Sequence, residues 1–255
     1  MYGTVYLATF VKPCVGSKRG DVTTDIAGNL HRVRERIEKA LDRSGRPGAE
    51  VVLVAVTKTL PVETVARAIA SGQLEFGENR IQEAEGKITH FAGTAPVRWH
   101  LIGHLQSNKA RRAAELFDMI HSVDSAKLAS RLDQACAALG KVLPVLLQVD
   151  LGEEETKSGV SRAGVRDLAR ALSECRSLKL NGLMTIPPFL EDPEQVRPFF
   201  RELRQLRDSL EQEQPGCLGD GHLSMGMTHD LEAAILEGAT IVRVGTAIFG
   251  ERAHE

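Results

Sequence analysis

Lys58 closes the apolar run VVLVAVTK at residues 51–58, a place where a lysine poses a chemical question. Burying an ammonium costs several kcal/mol, so such a side chain either carries its charge to water along its methylene stem or gives up its proton more readily than usual. In the second case the neutral amine can attack an aldehyde and form a Schiff base. Position alone leaves both uses open. Other apolar runs also end in polar residues: Glu78 and Asn79 in FGENRIQE (76–83), His100, His104, Gln106 and Asn108 in WHLIGHLQSNK (99–109), and Asp150 in QVDLGEEETKSG (148–159).

Two later runs end in small residues and hydroxyls: Ser224 and Gly226 in LSMGMTHD (223–230), and Gly245 and Thr246 in RVGTAIFGER (243–252). Glycine lets backbone N–H groups approach an anion and hydroxyls add donors, so these residues suit a phosphate cup. Taken singly, each stretch is equally ordinary turn chemistry. Arg243 lies two residues before Gly245 and therefore on the same strand face. Its guanidinium stays charged, so it needs either a carboxylate or an acceptor aimed at it. His100, His104, His222 and His229 share no metal-ligand spacing, and no metal site is expected.

The elements that must position these residues alternate. Strand candidates are residues 51–57, 74–77, 98–102, 119–123, 143–150, 178–184, 221–225 and 241–246, and helical stretches between them include 62–71, 125–139, 162–174, 194–213 and 230–237. A helix over 25–43 precedes them, with Ile26, Leu30, Val33, Ile37 and Leu41 on one face. Alternating strands and helices predict a parallel sheet, and eight such units predict a single α/β domain, a (β/α)8 TIM barrel with an extra N-terminal helix. An open doubly wound sheet is the runner-up, weakened by the lack of GxGxxG after the first strand. In a barrel the C-terminal strand ends share one face, which would gather Lys58, Glu78 and Asn79, the polar residues of WHLIGHLQSNK, Ser224 and Gly226, and Gly245 and Thr246, with Arg243 on the same face as Gly245.

Composition narrows the classes. The formal net charge of -2 over 255 residues gives no basic excess for nucleic acid or an anionic membrane surface. No apolar run approaches the roughly 18–20 residues that span a bilayer. The 4 cysteines are scattered without metal or disulfide patterning, which fits a reducing cytoplasm. Residues 1–20 contain basic but no acidic side chains, and residues 1–24 are expected to be a poorly ordered leader, with a targeting peptide as the lesser alternative.

VAVTKTLP, FGENRIQE, WHLIGHLQSNK, VLLQVDLGEEETKSG, GLMTIPP and LSMGMTHDLEAAILEGATIVRVGTAIFGER together resemble the pyridoxal phosphate homeostasis proteins, single-domain relatives of the alanine racemase N-terminal barrel. The resemblance runs from about Ile26 to Arg252 and leaves residues 1–24 outside it. It implies a fold type III barrel with pyridoxal 5′-phosphate (PLP) held as a Schiff base on Lys58. It further implies phosphate contacts from Ser224, Gly245 and Thr246, Arg243 facing the pyridine nitrogen, and Asn79 beside the ring. Thr57 stands where relatives often have serine and Leu60 where lysine or arginine is frequent; neither departure touches the Schiff base.

The function implied is storage, shielding or delivery of the cofactor in the cytoplasm, with PLP-dependent apoenzymes as possible recipients, effects on amino-acid and keto-acid pools, and at most trace racemase turnover. An amino-acid racemase is the alternative, with Lys58 as one base. Two-base racemisation needs a second acid/base on the opposite face. The only tyrosines, Tyr2 and Tyr6, lie in the leader, so the carrier is favoured. With no second domain to dimerise through, a monomer is expected.

Overall fold

In the computed structural model, which describes residues 24–94, 96–152 and 158–251, the strand candidates close into a ring. The strands are β1 (Val52–Val56), β2 (Glu75–Glu78), β3 (Arg98–Leu101), β4 (Met119–Val123), β5 (Leu143–Asp150), β6 (Val160–Ser161), β7 (Leu178–Met184), β8 (His222–Ser224) and β9 (Ile241–Val244). Their order is β4-β3-β2-β1-β9-β8-β7-β5, all parallel, and β4 pairs with β5 to close an eight-stranded barrel. The two-residue β6, absent from the sequence expectation, adds to the end of β5. The leader expected at 1–24 lies outside the described residues except for Thr24.

Helices α1 (Ile26–Arg43), α2 (Val62–Ala70), α3 (Ile81–Phe91), α4 (Ala110–Leu116), α5 (Ala126–Leu139), α6 (Val165–Ser173), α7 (Pro193–Glu213), α8 (Leu231–Leu236) and α9 (Thr246–Phe249) surround the sheet. Local chemistry sets many of their ends. The Asp25 side chain caps α1 by accepting from the Gly28 N–H at 3.0 Å, and Ser125 caps α5. Gly140 stops α5 in the left-handed conformation at φ 66°, which glycine adopts without a Cβ penalty. The expected apolar face of α1 is buried, and the helix packs on α8 and α9, where Arg36 donates to Glu232 at 2.6 Å.

The strand expected over 241–246 ends at Val244 instead. Gly245, at φ −116° and ψ −74°, leaves the extended region and starts the turn into α9, so Gly245 and Thr246 belong to a loop. The core has two parts. A large apolar cluster fills the shell between helices and outer strand faces, with Phe76, Phe117, Leu128, Leu132 and Phe200 among its fully buried members. A small cluster of Val54, Met119, Leu146, Met184 and Ile241 lies inside the barrel.

Candidate functional site

The period-two alternation of β1 puts Val54, Val56 and Lys58 on the inner face, so Lys58 emerges at the barrel mouth. The residue before it is held firmly. The Thr57 hydroxyl donates to Glu78 Oε1 at 2.5 Å, and Lys87 Nζ, reaching in from α3, donates to the same carboxylate at 2.7 Å and to the Thr57 carbonyl at 2.6 Å. Glu78 is fully buried and Lys87 nearly so, which makes this an ion pair behind the strand end rather than at the surface. Thr59, on the other side, has φ 63°, an uncommon conformation for a β-branched residue. Its N–H donates to Glu83 Oε2 at 3.0 Å. Lys58 is thus flanked by two fixed residues, while its own amine makes no hydrogen bond or ion pair among the described residues.

Lys58 shares a cavity of about 400 Å³ with Val56, Asn79, Ile102, Gly103, His104, Gln148, Ser158, Ile186, Met227 and Arg243. Larger cavities occur elsewhere, one of about 650 Å³ on the helical side between Arg111, Lys127, Arg131 and Leu139, but it contains no barrel-strand residue. The 400 Å³ cavity therefore joins three of the six expected site residues: Lys58, Asn79 and Arg243. Asn79 is half-buried and crosses Gly103 so closely that a Cβ there would lie 2.3 Å from the Asn79 carbonyl oxygen, which is why that crossing needs glycine.

Arg243 is only 3% exposed and has no carboxylate partner among the described residues. Burial lowers its pKa to about 10, while the charge of Asp230 opposes that shift. Two of its donors are engaged, Nη1 to Ser224 Oγ at 2.6 Å and Nη2 to the Thr185 carbonyl at 2.9 Å. An arginine has five N–H donors, so this one retains donors on the cavity side. A salt bridge, one of the two uses its position allowed, is not found among the described residues.

Ser224 is tied to Arg243 and His121 beneath the mouth. It is fully buried, accepts from Arg243 and lies 2.9 Å from His121 Nδ1, and it does not line the cavity. The loops after β8 and β9 nevertheless meet, because the Ala247 N–H donates to Thr228 Oγ1 at 3.4 Å. Gly245 sits 3.5 Å from the Val56 carbonyl by its absent Cβ, beside the Lys58 strand, and Thr246 is exposed. Gly226 is confined by packing and conformation: at φ 90°, an added Cβ would lie 2.6 Å from Ala234 Cβ. Gln148, Thr228, His121 and the Glu78–Lys87 pair were missing from the expected site. His121 had a signal, since it shares the inward parity of Met119 on β4; the Glu78–Lys87 pair had none short of the tertiary fold.

A closed parallel barrel with a lysine and a buried arginine at one mouth defines a protein of the alanine racemase N-terminal type, and the model of the alanine racemase N-terminal domain family matches residues 28–253. Alanine racemase of Clostridium difficile 630 shares the fold at 15% identity and a TM-score of 0.63, this chain covering 57% of it. Pyridoxal phosphate homeostasis proteins of Aquifex aeolicus and Escherichia coli K12 are each 44% identical to the chain, over 225 and 232 residues, 88% and 89% of this chain and 97% of each relative. PipY of Synechococcus elongatus, solved with PLP bound, superposes with a TM-score of 0.79 at 39% identity and covers 89% of this chain and 100% of its own. The chain belongs to the pyridoxal phosphate homeostasis protein family. Among the described residues no helix is long and apolar enough to cross a membrane.

Proposed function

We propose that the protein binds pyridoxal 5′-phosphate at the barrel mouth and serves cytoplasmic PLP homeostasis as a carrier rather than a catalyst. The observation that carries this reading is the pairing, in one cavity, of an amine on Lys58 and a buried guanidinium on Arg243 that have, among the described residues, no partner and no carboxylate respectively. PLP fits both, because it presents an aldehyde to the amine and a ring nitrogen to the guanidinium. When bound, it supplies the aldehyde carbon with which the Lys58 amine condenses, losing water. Asn79 flanks the ring. Gly245 and Thr246, with Thr228 tied to the same loop, hold the phosphate. Ser224 serves instead by fixing Arg243.

Arg243 also limits the chemistry. As a donor to the ring nitrogen it repels a second proton there, and an unprotonated ring is a poorer electron sink. No tyrosine occurs from residue 7 onward to act as an opposing base for racemisation. The protein works as a monomer in this reading and passes the cofactor to PLP-dependent apoenzymes.

Borohydride reduction of protein incubated with PLP, followed by peptide mass spectrometry, is expected to place the pyridoxyl group on Lys58. A principal adduct on another lysine would refute the site. α-Proton exchange from L-alanine in heavy water at ordinary enzyme rates, about 1–1000 per second, and lost in Lys58→Ala, would establish the racemase instead.

A further inference from the structure

The barrel interior holds a continuous row of polar side chains. At the lower rim the Glu75 carboxylate, partly exposed at the start of β2, places Oε2 2.6 Å from His100 Nε2 on β3. His100 Nδ1 lies 2.9 Å from His121 Nε2 on β4, and His121 Nδ1 lies 2.9 Å from Ser224 Oγ on β8. Arg243 on β9 then donates to Ser224 Oγ at 2.6 Å. His100, His121, Ser224 and Arg243 are all at most 3% exposed, so bulk water does not compete for these bonds.

With one proton on His100, the two ends fix the direction of every link, because arginine only donates and a carboxylate only accepts. Ser224 accepts from Arg243 and turns its own proton to His121 Nδ1. His121 donates from Nε2 to His100 Nδ1, and His100 donates from Nε2 to Glu75. The opposite tautomer of His121 would give Ser224 two donors and would require a second proton on His100. Burial above all, with the Arg243 guanidinium nearby, holds the His121 imidazole well below its usual pKa and therefore neutral, as the chain requires. The other charged groups act at the margins: Arg98 lies 3.5 Å from Glu75, His222 pairs at 3.9 Å with Asp220 near Lys179, and Asp230 acts on Arg243.

We propose that Glu75, His100, His121 and Ser224 are positioning residues, a polarised hydrogen-bond chain that holds Arg243 in one orientation toward the ring nitrogen of the ligand. A guanidinium on a flexible stem loses rotamer freedom whenever it binds; one already fixed from below loses less. The ring-nitrogen role rests on the PLP reading, whereas the chain itself does not.

The test has two arms. In the ligand-free protein, two-bond 15N–1H spectra of the histidine rings are expected to show His100 and His121 both protonated on Nε2, with the His121 signals displaced in Ser224→Ala. In binding assays, Ser224→Ala is expected to weaken PLP and pyridoxal by the same factor, about tenfold, and Ser224→Thr to restore most of it, since one hydrogen bond to a charged group is at stake. Thr246→Ala, by contrast, should weaken PLP alone. Finding the His121 proton on Nδ1, or a folded Ser224→Ala with unchanged pyridoxal affinity, would overturn the proposal. If the wild type binds neither ligand, the cavity reading and the ring-nitrogen role fail together, while the histidine spectra still decide the chain.

Discussion

The shell between helices and sheet and the interior of the barrel are built on opposite principles. Outside, the contacts are almost wholly apolar and come from every element of the fold. Inside, an aliphatic cluster of Val54, Met119, Leu146, Met184 and Ile241 shares the space with His100, His121, Ser224 and Arg243, where branched aliphatic layers are the rule for such barrels. Apolar contacts need only approximate shape and no partner atoms, so the shell can supply stability. Buried polar groups need each hydrogen bond satisfied, so the interior specifies geometry at the mouth. The Glu78–Lys87 pair is one point where the polar style intrudes into the shell, directly behind Lys58.

That contrast can be broken deliberately. The largest stability loss is expected for Phe200→Ala, which empties a fully buried position of the shell and should cost about 3–5 kcal/mol in urea unfolding. A comparable cost with a different signature is expected at the intrusion. Lys87→Met leaves the Glu78 carboxylate buried without its cation, at a cost of about 3–5 kcal/mol, whereas the double variant Glu78→Leu with Lys87→Met should recover much of that loss. A double variant as unstable as the single one would mean that the pair itself, and not the orphaned charge, stabilises the fold. The recovery has a structural basis in Glu78 Oε2, which is buried without a hydrogen-bond partner.

The interior should reveal itself through pH. His121 is held well below the usual 6.5, chiefly by burial, and His222 is lowered by the same cause. A group whose folded pKa is depressed lets the unfolded chain take up the proton first. Stability is therefore fully present above about pH 6.5 and falls as the pH drops toward the folded pKa, by about 1.4 kcal/mol per pH unit for each such histidine. Urea titrations between pH 7.5 and 5.5 are expected to show a steeper decline in the wild type than in His121→Asn; equal slopes would remove His121 from the account. The smallest effect on stability is expected for Lys58→Ala, within about 0.5 kcal/mol, since the half-buried lysine makes no bond among the described residues. The same variant should lose the Schiff-base absorption with PLP, separating function from stability.

Much of this was legible in the residues. Strand and helix periodicities are local, so eight strands, the N-terminal helix and the inward face of Lys58 and Arg243 follow from spacing, and the strand-end rule gathers polar residues at one mouth. Caps such as Asp25 and stops such as Gly140 are equally local. What spacing could not supply was contact across the ring. His121 and Ser224 are 103 positions apart and meet only because β4 and β8 face each other through the closed barrel, where the same hydroxyl also accepts from Arg243. Likewise Thr59 at φ 63° and the shared acceptor at Glu78 depend on how α3 docks behind β1 and β2. Side-chain parity is set by the backbone of one strand, so sequence determined which residues point inward; hydrogen-bond partners are set by distances between strands, so only the tertiary structure decided what each of them holds.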